Sequence, residues 1–211
     1  MNKKIKSVTL VELLISILIV ALMVLSFYSL ETFSHKQVIN ADRRTKVQNS
    51  LSYCLQHMSK YVQQASGYKS DSGIQLITNG FKVRVDSYLF QNPQILPTTD
   101  LNDDVWISYT LTDHALSASC TPIGSGSCGT FLPEVLSNYI VAGFNNSVLP
   151  VIPPYSASNG FYVAVDALGN FVDVGLVGRY YPAVLPTPAT KLTNPQVAIQ
   201  TKLICNNSST N

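Results

Sequence analysis

From Val8 to Ser66 the chain contains no proline and no glycine. Those two residues interrupt a helix most strongly, so this stretch is suited to one long helix. Its first part, Val8 to Leu30, is apolar almost throughout and exceeds the roughly 20 residues needed to cross a bilayer. A removable secretory signal would have an apolar core of only about 7–15 residues, followed by a small-residue cleavage site. Neither is evident. The opening "MNKKIKS" is basic and should stay cytoplasmic, which places the bulk of the chain on the other side. Hydropathy alone therefore gives a single-pass anchor carrying an exported domain. One residue is out of keeping. Glu12 stands at the front of the apolar run, where an ionised carboxylate costs about 2.5–3.5 kcal/mol on insertion scales.

Beyond the apolar run, Val47, Leu51, Cys54, Leu55, Met58, Tyr61, Val62 and Ala65 recur at spacings of three and four, one face of a helix. Polar residues such as Lys46, Gln56 and Lys60 fill the other side. Gly67 is the expected stop. The period then changes to two. "IQLITNGFKVRVDSYL" reads as a hairpin turning at Asn79-Gly80, with Phe81, Val83 and Val85 alternating with Lys82, Arg84 and Asp86. "VWISYTLTDHALSAS" turns at Asp113-His114. Tyr139 to Phe144 reads as a strand, "FYVAVDALGNFVDVGLV" as a hairpin turning through Leu168-Gly169-Asn170, and Val197 to Cys205 as the last strand. Pro182, Pro186 and Pro188 mark a loop. The expected fold class is α+β, a long N-terminal helix packed on an antiparallel sheet head. Four segments follow: 1–7 as a leader, 8–30 as the transmembrane half of the helix, 31–66 as its amphipathic half, and 67–211 as the β-rich head.

Charged residues make up only 12% of the chain, against about 25% in ordinary soluble domains. From Lys69 onward there are six basic and nine acidic residues. No basic patch interleaved with aromatics appears there, which argues against nucleic acid as the main partner, although a role in DNA uptake stays open. Arg43, Arg44 and Lys46 read as a solvated helix face or a membrane-proximal contact. Cys120 and Cys128 bracket "TPIGSGS", a short flexible loop that a disulfide closes readily; free thiols or a metal are the alternatives. Cys54 and Cys205 are assigned a second bridge from parity alone. Disulfides imply an oxidising compartment.

The residues at the front carry a resemblance. "KSVTLVELLISILIVALMVL" resembles the N-terminal signal of type IV pilins and type II secretion pseudopilins. In that family a short basic leader ends in a small residue, and Glu is the fifth residue after the cut. The resemblance implies cleavage by a prepilin peptidase between Ser7 and Val8, N-methylation of Val8, and an assembly role for Glu12. It departs from the family pattern at Ser7, where Gly is usual, and at Val8, where Phe or Met is usual. The absence of helix-breaking residues in the span, with the strand-rich head, is similar to minor members, of the W-type minor pilins or J-type pseudopilins. The implied partners are other pilins in a helical filament, the inner-membrane assembly platform and the membrane. The implied location is the bacterial inner membrane with the head outside the cytoplasm, then a filament in the periplasm or at the cell surface.

No HExxH, GxSxG or P-loop occurs, and His35, His57 and His114 are scattered, with His35 and His57 placed on polar sides of the helix. A non-enzymatic structural subunit without a cofactor is expected. Asp100, Asp103 and Asp104 could together hold Ca²⁺ through oxygen ligands, but lack EF-hand spacing, and a solvated loop is the favoured reading. "DALGNFVD" is read as a turn. The alternative function is a single-pass, membrane-anchored periplasmic binding or sensor domain. Which machine is served (pilus, secretion or DNA uptake) is left open by the residues.

Overall fold

A computed structural model describes residues 9–66, 72–91, 100–147, 157–166, 171–185, 187, 190 and 193–205. It has the α+β plan, a long N-terminal helix packed on antiparallel sheets. Helix α1 runs Leu10–Val62. The chain divides into two compact units after Asp42, within the segment read as the amphipathic half.

In the second unit, Val47, Leu51, Cys54, Met58, Tyr61 and Val62 of α1 are buried, the stripe read from the sequence. Leu55 is only partly buried. The helix stops at Val62, short of the expected Ser66, because the chain there becomes extended. Ala65 bridges Val85, and the Ser66 amide donates to the Arg84 carbonyl at 2.8 Å. Gly67 lies outside the described residues.

The sheet expected as one is two. Strands β1 (Ile74–Ile77), β2 (Gly80–Asp86), β3 (Asp104–Thr112), β4 (Ala115–Pro122) and β5 (Glu134–Ser137) form an antiparallel sheet in that order. Strands β6 (Phe144–Asn145), β7 (Phe161–Val165), β8 (Phe171–Arg179) and β9 (Gln196–Ile204) form the other. A short helix, α2 (Tyr88–Gln91), follows β2. The expected strand Tyr139–Phe144 is not one strand. Ile140 makes a bridge to Gly178, where β8 has run past its pairing with β7, and Phe144–Asn145 pairs in parallel with β7. The strand signal there was a chain passing from one sheet to the other. The β3–β4 turn is at Asp113-His114 as read, with Asp113 at φ 53°. The turn of the β7–β8 hairpin, Leu168 to Asn170, lies outside the described residues.

Gly178 and Gly80 each allow a close approach between elements. At Gly178 an added Cβ would lie 3.0 Å from Val47 and 3.1 Å from Leu51, so α1 crosses β8 where no side chain stands. Gly80 is not in the first hairpin turn, as the sequence suggested. Ile77 pairs with Gly80, leaving Thr78-Asn79 as the turn, and Asn79 takes the left-handed conformation at φ 60°. Gly80 instead lies against β3, where an added Cβ would sit 1.8 Å from the Tyr109 carbonyl oxygen. That neighbour is backbone and cannot swing away. Gly80→Ala is therefore expected to destabilise the head by about 2 kcal/mol or more, as overpacking does. Urea denaturation followed by the fluorescence of Trp106, the single tryptophan, checks this.

Candidate functional site

The first unit presents apolar side chains outward. From Leu10 to Phe33 its large apolar residues are between about half and three-quarters exposed, and Val38 is 63% exposed. The most apolar 18-residue window of α1 has mean hydropathy 2.8 and is not buried in the protein. By length and composition this helix can cross a membrane. Its hydroxyls are consistent with an apolar solvent. Ser16 donates to the Glu12 carbonyl at 2.8 Å, and Ser26 to Leu22 at 2.8 Å. These two hydroxyls are satisfied within the helix, as a bilayer requires.

At the front of this helix the structure shows a role for Glu12 that the sequence reading missed. Thr9 and Glu12 form a capping box. The Glu12 amide donates to Thr9 Oγ1 at 3.3 Å, and Glu12 Oε2 accepts from the Thr9 amide at 2.9 Å and from its hydroxyl at 3.0 Å. The spacing Thr-x-x-Glu was the available signal. All of these carboxylate contacts use Oε2. Ser7 and Val8 lie outside the described residues.

Cys120 and Cys128 are joined by a disulfide at the end of β4. Cys54 and Cys205 are not bridged to each other; both are buried and carry thiols. Parity was a poor guide because each thiol packs as a small apolar side chain in the core. Burial pushes the Cys54 thiol up to about 12 and the Cys205 thiol up to about 11. Alkylation at pH 8 should label neither in the native chain, two thiols after unfolding, and four after reduction as well. A count of zero after unfolding would restore the second bridge.

The acidic group differs from the one expected. Carboxylate oxygens of Asp86, Asp103 and Asp104 come within 4.8 Å of one another. Asp100 is not among them; its side chain accepts from the Asn102 amide at 2.9 Å and caps a short turn. Asp104 is engaged by Ser66 Oγ at 2.9 Å and by Arg84 Nε at 3.6 Å. Arg84 and Asp86 are both buried, although alternation along β2 put them on a solvent face. The Arg84 guanidinium lies 5.6 Å from the centre of the Trp106 ring. Burial raises the Asp104 carboxyl above its ordinary range, helped by the charges of Asp86 and Asp103 and opposed by Ser66 and Arg84.

The basic cluster also differs. Arg43 is docked on the head. It donates to the Thr193 carbonyl and lies 5.0 Å from the ring of Tyr180 and 5.4 Å from that of Tyr181. Arg44 and Lys46 are exposed.

His57 is not on a polar helix side either. Its side chain is 11% exposed, between α1 and β5. Nε2 lies 3.0 Å from Glu134 Oε1, and Nδ1 lies 3.0 Å from the hydroxyl of the fully buried Tyr109. Tyr61, Tyr109 and Phe131 pack around the ring at centroid distances of 5.0, 5.7 and 6.2 Å. A groove of about 390 Å³ opens beside it, lined by residues including Lys60, Tyr61, Phe90, Phe131 and Glu134. Partners from β3 and β5 made this cluster illegible in the helix pattern. His35 is exposed, and His114 Nδ1 lies 3.1 Å from the Ile140 carbonyl oxygen. No family model matches the chain, and neither does any curated protein or solved structure.

Proposed function

We propose that the chain is a minor structural subunit of a type IV pilus or a type II secretion pseudopilus. In this reading it is anchored in the inner membrane by the first part of α1, cleaved after Ser7, N-methylated on Val8, and assembled through the bare apolar helix. The observation that carries the reading is a carboxylate at the head of a helix whose first part, from Leu10 to Phe33, has its large apolar side chains exposed among the described residues. A membrane-inserted acid persists only with a partner or a function. The amine released at Val8, with an ordinary pKa of about 8, is cationic at neutral pH. Pairing it with Glu12 of a neighbouring copy neutralises two charges that would each be costly alone. The capping contacts do not compete, because they occupy Oε2 and leave the second carboxylate oxygen for a neighbour.

A second reading, a membrane-anchored periplasmic binding or sensor domain, is favoured by the groove beside His57 and Glu134. Prepilin peptidase distinguishes the two. Co-expression with the peptidase should yield a mature chain whose mass begins at N-methylated Val8, and an intact Met1 would favour the second reading.

The capping box makes the charge test sharper. Glu12→Gln keeps the cap, since Gln serves at that position of the box, but removes the charge. Glu12→Ala removes both. Both variants should insert in the membrane and fail to enter filaments. Normal incorporation of Glu12→Gln would show that the cap, and not the charge, is what Glu12 supplies.

A further inference from the structure

His57 is held by two elements of different standing. Tyr109 belongs to β3, inside the first sheet, whereas Glu134 belongs to β5, a four-residue strand at that sheet's edge. In the neutral tautomer with hydrogen on Nε2, every polar atom is matched. Nε2–H donates to Glu134, and Nδ1 accepts from the Tyr109 hydroxyl. A second proton, on Nδ1, meets the Tyr109 hydrogen across a 3.0 Å gap. Tyr109 must then turn its hydrogen to the His57 carbonyl oxygen, a longer contact of 3.3 Å. The imidazolium would also be shut among Tyr53, Tyr61 and Phe131.

The charged and titratable groups around the ring are few. Helix α1 brings Tyr53, Lys60 and Tyr61, β3 brings Tyr109, and β5 brings Glu134; Phe90 of α2 and Phe131 bring no charge. Lys60 repels the imidazolium and Glu134, 42% exposed, attracts it. We propose that His57 is a proton-operated latch that holds β5 and the preceding residues 130–133 against α1 when neutral and releases them when protonated. Release uncovers the rings of Tyr61, Phe90 and Phe131, which pack on one another at 5.8–5.9 Å. The latch does not depend on the filament reading.

The direction of the effect follows from linkage. Burial, the largest influence, lowers the affinity of His57 for a proton; Lys60 adds to this, and the charge and hydrogen bond of Glu134 oppose it. The opened state, with an ordinary pKa of about 6.5, therefore binds more protons in mild acid. The closed state is fully favoured above that pH and loses ground as pH falls through and below it.

Hydrogen exchange of the full chain in micelles, read by mass spectrometry over residues 131–137 and scaled for intrinsic rates, tests the latch. Protection should fall by up to about tenfold between pH 7.5 and pH 5.5, the range over which the opened histidine becomes charged. Residues of β7 and β8 should not change. His57→Gln, which cannot take up the proton, should remove the pH dependence. An NMR titration of the His57 ring should show a midpoint below 6.5, and lower still in Glu134→Gln. Flat protection in the native chain, an equal fall in His57→Gln, or a midpoint at or above 6.5 would each overturn the proposal.

Discussion

The burial of one stripe of α1 is the interaction on which the head depends. Val47, Leu51, Cys54, Met58 and Val62 are completely removed from solvent and share one core cluster with residues of both sheets. Burying an aliphatic side chain of this size contributes about 1.5–3 kcal/mol. The two sheets present apolar faces that would otherwise lie open, and the helix meets the second sheet closely enough at Gly178 to need a missing side chain. Phe81 of the first sheet and Phe161 of the second, 6.2 Å apart, close the layer from within. Remove the stripe and neither sheet keeps its covered face.

The first part of the same helix has its large apolar side chains exposed among the described residues. Before Asp42 the large apolar side chains face outward on all sides, and the Ser16, Ser26 and Thr32 hydroxyls donate to the helix's own carbonyls. Such a surface needs lipid or other helices. The capping box adds a second constraint, because it satisfies backbone donors at the helix start with a charged group. A neutral Gln would satisfy them as well. The charge on Glu12 therefore asks for a reason beyond capping, and the proposed pairing with a neighbouring terminus supplies one.

The sequence was informative where one side chain's fate followed from its own periodicity. The stripe from Val47 to Val62, the β3–β4 turn and the last strand were legible because each depends on local spacing. It failed where a residue's environment is set by distant chain. Arg84 and Asp86 alternate as surface residues but are buried, Arg84 against Ser66 and Trp106. His57 occupies a polar slot of the helix pattern and is enclosed by Tyr109 and Glu134. Gly80 looked like a turn residue and proved to be a close-approach residue. The short bridges at Ala65 and Ile140, where one segment takes over a strand's edge from another, have no periodic signature.

In the proposed reading α1 serves two solvents, lipid over its apolar first part up to Leu30 and the head's core over the stripe from Val47 to Val62. Spin labels placed singly along α1 of the full chain in lipid nanodiscs test this most directly, through their accessibility to oxygen and to a water-soluble nickel reagent. Labels at Leu13, Leu18 and Met23 should be reached by oxygen and not by nickel, with no helical periodicity. Labels at Gln48, Gln56 and Lys60, on the exposed side of the stripe, should be reached by nickel. Free access of nickel to Leu13, Leu18 and Met23, or shielding there from both reagents, would contradict it.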